Sequence, residues 1–265
     1  MSLVRPIAVF DAGIGSYAIV DLIRRRLPKQ DILYFADRAS FPYGRKSRHE
    51  LLTVMDRTIR FLSQHEPSAI IVASNVPSIT VMDELKSMVE VPLFGVLPPL
   101  ADALSQSQTG KVGIMGVQSM VESPQLRQFV GKHTSDPDAV ALINASPMVD
   151  LVENGDFLFD PAGTQRKVDV FLRDVFLDHP DIDVLTLSST HLPWLRSYFE
   201  NGRPSCRFLD PADAIVQTIG AGTSGSGMTT ALVTESPEYP ADAFRAMLAK
   251  LQIDIPIRIV PPPFQ

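Results

Sequence analysis

A few short segments carry residue types that can bind a ligand or move a proton. Asp11-Ala12-Gly13-Ile14-Gly15 sets a carboxylate beside two glycines. Glycine lets a backbone approach a ligand closely. Ser74-Asn75-Val76-Pro77 and Ser188-Ser189-Thr190-His191-Leu192-Pro193 each place small polar groups ahead of a proline. The second cluster adds an imidazole, whose ordinary pKa suits general acid or base work near neutrality. Phe41-Pro42-Tyr43-Gly44-Arg45-Lys46 combines a tight turn with an aromatic ring and two cations. Glu153 stands just before Asn154-Gly155.

Each feature has a plainer reading. Asp11 either caps a helix beginning near Ser16 or serves a site as a carboxylate. The glycines do not complete a dinucleotide fingerprint, because the third one is missing. Residues 41–46 fit an ordinary surface loop, in which Tyr43 could also cover a small molecule. Ser189 and Thr190 suit a helix cap as well as a site. Glu153 is expected at the surface, and Met115 and Met120 in the core. The five histidines show no metal-ligand spacing, so no metal is expected.

Positioning these groups requires a framework. Short β-branched runs at 7–10, 32–35, 70–73, 93–96, 112–115, 140–143 and 184–187 read as buried strands. Between them, helical patterns occupy 18–27, 48–64, 79–89, 125–130, 165–177 and 213–219. Such alternation predicts an α/β protein with mostly parallel sheets covered by helices. Ligands of these folds lie at the carboxyl ends of strands, where the clusters above fall. The shared pattern around Ser74 and Ser189 reads as an internal repeat, with two similar halves facing each other. Thr223-Ser224-Gly225-Ser226-Gly227 reads as a flexible connector.

The 265 residues suffice for two modest domains, and a net charge of −6 argues against a nucleic-acid binder. Arg24-Arg25-Arg26 reads as a solvated helix face. The single cysteine, Cys206, excludes an internal disulfide and fits a reducing compartment. No signal peptide is visible at the start, and no apolar run approaches the roughly 18 residues of a membrane helix. A cytoplasmic protein without membrane contact is expected.

Taken in order, these segments resemble the glutamate racemase family. The resemblance is carried by residues 7–15, by Tyr34-Phe35-Ala36-Asp37 with Phe41-Pro42-Tyr43-Gly44, and by Ile71-Val72-Ala73-Ser74-Asn75. Residues 149–155, Leu187-Ser188-Ser189-Thr190-His191-Leu192-Pro193 and Leu209-Asp210-Pro211-Ala212 extend it. It implies two pseudo-symmetric three-layer αβα domains with the site in the cleft between them. One domain would comprise 1–97 and 210–265, and the other 98–209. It implies a cofactor-free racemase of an acidic amino acid that supplies D-glutamate for peptidoglycan. It also implies a homodimer whose ligand is an amino acid or other small carboxylate. Asp11 would assist a first base, and His191 a second. Ala12, Pro42, Tyr43, Gly44, Asn75, Val76 and Thr190 would line the substrate site, with Glu153 near the amino group.

The departures fall on the chemistry. Ser74 and Ser189 occupy the positions of the family's two catalytic cysteines. Ala12, Val76 and Met120 stand where serine, threonine and threonine are usual. An aliphatic hydroxyl is a far weaker acid than a thiol. Three functional readings follow: a racemase-family protein with impaired or lost racemization, an altered hydrolase or lyase using Ser189 and His191, or a non-catalytic binding or regulatory protein.

Overall fold

The computed structural model describes residues 3–219 and 225–263, with the backbone alone at residues 213 and 216–218. In chain order the strands are β1 (Ile7–Asp11), β2 (Ile32–Asp37), β3 (Ala69–Val72), β4 (Leu93–Gly95), β5 (Val112–Gly116), β6 (Val140–Asn144), β7 (Val184–Leu187), β8 (Arg207–Leu209), β9 (Thr229–Thr234) and β10 (Ile257–Ile259). They divide between two compact units, one comprising Met1–Val96 with Ala212–Gln265 and the other Leu97–Pro211.

The first unit holds a six-stranded sheet in the order β10-β9-β2-β1-β3-β4. The second holds a four-stranded sheet in the order β6-β5-β7-β8. Every strand pair in both sheets is parallel. The segments 7–10, 32–35 and 184–187 therefore form buried strands as expected. β8, β9 and β10 are not apparent in the sequence, because β8 and β10 are short edge strands and β9 follows a long return through the chain.

The two sheets repeat one topology. In the first, β1 lies between β2 and β3; in the second, β5 lies between β6 and β7. The winding direction reverses beside β1 and again beside β5. The repeat inferred from Ser74 and Ser189 thus has a topological counterpart in each unit.

Local chemistry explains several helix starts. Ser47 and Glu50 form a capping box at the head of the helix Arg48–Ser63. Asp160 accepts from Gly163 N at 2.9 Å, and Pro161 occupies the first turn of Pro161–Asp178. The predicted helix over 79–89 is instead two pieces, Asn75–Thr80 and Met82–Met88. Arg24, Arg25 and Arg26 are exposed at the end of Tyr17–Arg26, as the sequence suggests.

Within the predicted connector, Thr223 and Ser224 lie outside the described residues. Gly225–Gly227 are tied down, which corrects the expectation of flexibility there. Gly225 N donates to Lys29 O at 2.8 Å, and Ser226 N donates to Asp31 Oδ1 at 2.8 Å. Gly227 adopts a left-handed φ of 75°, and a Cβ there would run into the Pro28 carbonyl oxygen. Asp31 also accepts from Val4 N at 2.8 Å and Met228 N at 3.0 Å. One buried carboxylate therefore joins three separate stretches of the first unit.

Candidate functional sites at the strand ends

In the first unit, β1 and β3 end side by side at the topological reversal. Ala73 N donates to Phe10 O at 2.8 Å, which places Asp11 and Ser74 on adjacent strand ends. Asp11 is buried as the last residue of β1. The cap position of the following helix is Ser16, five residues beyond Asp11, and the chain turns over residues 12–16 before the helix begins.

Ser74 caps the short helix Asn75–Thr80 by position, yet its side chain makes no capping bond. Its hydroxyl has no hydrogen-bond partner among the described residues. Asn75 is buried, and its Nδ2 donates to Val96 O at 3.1 Å. Asn75 Oδ1 is buried without a partner among the described residues. An unmatched buried acceptor of this kind costs about 1–3 kcal/mol. Ala12 and Val76 are also buried at these strand ends.

Pro42 follows a cis peptide bond and leads into the tight turn Tyr43–Arg45. Pro42 and Gly44 are half-buried while Tyr43 is buried, so the turn is more than a surface loop. Tyr43 Oη donates to Asp37 Oδ2 at 3.1 Å. Thr234 Oγ1 donates to Asp37 Oδ1 at 3.0 Å and accepts from Ala39 N at 3.0 Å. Burial raises the Asp37 carboxyl above its ordinary value, against the pull of these donors. Burial, with the nearby charges of Asp37 and Asp11, holds the Tyr43 phenol well above its ordinary value. Sequence reasoning misses Asp37 as a residue of this site. Its signal is nonetheless present: a carboxylate at a strand end, directly ahead of the aromatic turn.

The second unit repeats the arrangement. Ser188 N donates to Met115 O at 2.9 Å, matching the Ala73–Phe10 bond of the first unit. Ser189 therefore occupies the position equivalent to Ser74. The Ser188 hydroxyl is fully buried and pairs with Thr186 Oγ1 at 2.7 Å, so it serves packing inside the sheet. Ser189 Oγ accepts from the backbone N of His191 at 3.5 Å, its one hydrogen bond among the described residues. The Ser189 hydroxyl and the His191 ring are not hydrogen-bonded to each other. Thr190 is buried between them in sequence.

His191 Nε2 instead lies 3.1 Å from Glu153 Oε2, with both side chains almost fully buried. The expected surface placement of Glu153 is thus corrected. Glu153 closes the helix Ser146–Glu153, whose packing against the turn Leu192–Leu195 brings carboxylate and imidazole together. A buried carboxylate is tolerable when a partner supplies a donor. Met120 is buried, with its methyl group against Gly116, which agrees with a core role. Among the described residues no cluster of three or more His, Cys, Asp or Glu could hold a metal ion. No helix among them is long and apolar enough to cross a membrane.

The fold and these strand ends define a doubly wound α/β protein with two topologically equivalent polar sites, each built beside a reversal of strand order. A sequence profile described as Asp/Glu/Hydantoin racemase matches residues 17–219. The glutamate racemase of Thermus thermophilus is 32% identical over 255 residues, covering 93% of this chain and 92% of that protein. That of Limosilactobacillus reuteri is 30% identical over 209 residues, covering 78% and 76%. The crystal structure of the Thermus thermophilus enzyme with beta-chloro-D-alanine has a TM-score of 0.78, with 30% identity, and covers 97% of this chain and 96% of that one. The Francisella tularensis glutamate racemase in complex with D-glutamate has a TM-score of 0.78 at 25% identity, covering 97% of each chain. The chain belongs to the aspartate/glutamate racemase family, and its similarity is to the glutamate racemases.

Proposed function

We propose that this chain binds a small amino acid or related carboxylate at its strand ends but exchanges the α-proton poorly or not at all. One observation carries the proposal. Ser74 and Ser189 occupy the two equivalent strand-end positions, and neither hydroxyl is hydrogen-bonded to a carboxylate or imidazole among the described residues. Racemization without a cofactor removes a proton from carbon on one face and returns one on the other. Each base must therefore accept and donate a full proton.

A thiol, with a pKa of about 8.5, can be tuned to that task. An alcohol resembles water, at about 15.7. The gap of about 7 pKa units corresponds to roughly 10 kcal/mol. A well-placed acid or base typically contributes about 10²–10⁴-fold in rate, or roughly 3–6 kcal/mol. Such assistance does not close the gap. Serine hydrolases succeed because the oxygen attacks carbon while a histidine takes its proton. No such pairing exists between Ser189 and the His191 ring in this structure.

The ligand class rests on family membership and on the strand-end groups of each unit. Solved relatives hold beta-chloro-D-alanine and D-glutamate. Ala12 and Val76, both buried at the strand ends, replace hydroxyl-bearing residues of the family and make these ends less polar, so the ligand is less polar than glutamate or is held more weakly. No cofactor enters this reading. A cytoplasmic homodimer is the state carried over from the family, and sedimentation of the purified chain tests the dimer.

Incubation with L- and D-glutamate and aspartate in D₂O tests the proposal, with Cα deuterium read by NMR. Binding without appreciable deuterium incorporation is expected. Wash-in at the rate of a cysteine-bearing racemase would overturn the acidity argument.

A further inference from the structure

We infer that Tyr239 is a positioning residue for the turn over residues 41–45, which it holds in place for the ligand from a loop far along the chain. The inference deepens the proposed function and rests on its reading of the strand ends as a small-carboxylate site.

The turn follows the end of β2. Phe41 N donates to Arg38 O, Arg45 N to Pro42 O and Lys46 N to Tyr43 O, each at 3.2 Å. These short-range bonds set the local shape of the turn but not its place in the unit. Placement needs contacts from elsewhere. On one side, Tyr43–Arg45 packs against the helix Asn75–Thr80. On the other, the turn begins at Phe41, which is only half-buried.

Tyr239 supplies the contact on that side. Its ring meets the Phe41 ring edge to face, with centroids 4.8 Å apart and 69° between the planes. Such a pair contributes beyond the area it buries. The Arg38 guanidinium lies 5.9 Å from the centre of the same ring and 5.3 Å from that of Phe244. Arg38 is only 2% exposed, and a cation held away from water is attracted more strongly to an aromatic face. One ring therefore touches both residues joined by the hydrogen bond that opens the turn.

The ring is itself well fixed. Tyr239 N donates to Ser236 O at 3.1 Å and lies 3.2 Å from Ser236 Oγ. Pro237 and Pro240 restrict the backbone on either side. Glu235 Oε2 accepts from Ala241 N at 3.0 Å, which ties the loop to the helix Ala241–Lys250 that carries Phe244. The Tyr239 hydroxyl donates to Glu238 Oε1 at 3.1 Å, at the surface, whereas the contacts with Phe41 and Arg38 are made by the ring. A turn held in this way presents Pro42, Tyr43 and Gly44 in one arrangement, so a ligand need not order it on binding.

The test uses the full chain with Tyr239→Leu, Tyr239→Ala and Tyr239→Phe, each checked for folding by its thermal melt. Hydrogen exchange of the peptide spanning residues 38–46 is read first, without ligand. Loss of the ring in Tyr239→Leu or Tyr239→Ala is expected to speed exchange there by about 10-fold, with Tyr239→Phe within about 2-fold of the unaltered chain. Isothermal titration with D- and L-glutamate and aspartate follows. The Leu and Ala variants are expected to bind about 5–20-fold more weakly, and the Phe variant within about 2-fold. A role in stability alone would lower the melting temperature and leave both readouts unchanged, which would overturn the inference. So would faster exchange with unaltered affinity, or a Tyr239→Phe as weak as Tyr239→Leu. Unchanged exchange defeats the inference by itself, with no ligand involved. If no compound binds the unaltered chain, the small-carboxylate reading fails and the inference falls with it.

Discussion

His191 Nε2 and Glu153 Oε2 lie 3.1 Å apart inside the second unit, and neither side chain has appreciable contact with solvent. The pair fixes the orientation of the imidazole and leaves Glu153 with a buried donor. Removing one partner takes this hydrogen bond from the other in a buried setting. Glu153→Ala and His191→Ala are each expected to lower stability by about 1–3 kcal/mol, measured by urea unfolding. In the double variant the losses should fall short of their sum by at least about 0.5 kcal/mol. Strict additivity would show that the contact carries no coupling.

Restoring sulfur tests the chemical reading directly. The double change Ser74→Cys with Ser189→Cys is expected to raise Cα deuterium incorporation by at least about 10²-fold over the unaltered chain. Either single change should leave racemization far behind the double variant, because each face of the carbon needs its own base. An inert double variant would place the defect elsewhere, with Ala12, Val76 and Met120 the first residues to examine.

Asp31 predicts a pH dependence of stability. Burial opposes its charge, but N–H groups of Val4, Met228 and Ser226 and the Ser226 hydroxyl hold the carboxyl below its ordinary value. A carboxyl whose pKa is lower folded than unfolded stabilizes the fold above the unfolded pKa, about 3.9. That contribution is lost as pH falls through the folded value. Asp31→Asn is expected to be less stable than the unaltered chain at pH 7, by about 1–3 kcal/mol. The two stability curves should converge as the pH drops below about 4. A constant offset down to pH 2 would contradict the assignment.

Tyr43 should resist alkali. Burial raises its phenol, and the neighbouring charges of Asp37 and Asp11 raise it further. Absorbance at alkaline pH, with Tyr43→Phe as the reference, should show no ionization of this residue before the protein unfolds. Asp37→Asn removes one of the negative charges and should bring the Tyr43 titration to lower pH.

Cys206 is buried, and its thiol is pushed up to about 12 by burial and the nearby Asp183. The native chain should therefore be unreactive toward a disulfide reagent at pH 8, because the thiolate is the reactive form. One thiol per chain should appear in urea, since the sequence contains a single cysteine. Rapid labelling of the folded protein would contradict this burial.

Much of the site is legible in the order of residues alone. Asp11, Ser74 and Ser189 follow apolar β-branched runs, and parallel strands make such positions strand ends. Periodicity locates β1, β3 and β7 because each is buried on both faces. It does not locate β8 or β10, whose three residues carry too little pattern. Nor does it show that Gly225–Gly227 are bound by Asp31. The hydrogen bond from Ser226 spans 195 residues of sequence.

The composition and order of residues are enough to establish the family, the α/β class and the two serines, because these depend on side-chain type and local spacing. Pairing across the chain is beyond their reach. Glu153 meets His191 across 38 residues, Tyr43 donates to Asp37 within a turn, and Val96 turns the amide of Asn75 so that its oxygen is left unmatched. Hydrogen bonds depend on distance and direction in space, so which groups are committed and which are left to a ligand emerges only when the strands lie side by side.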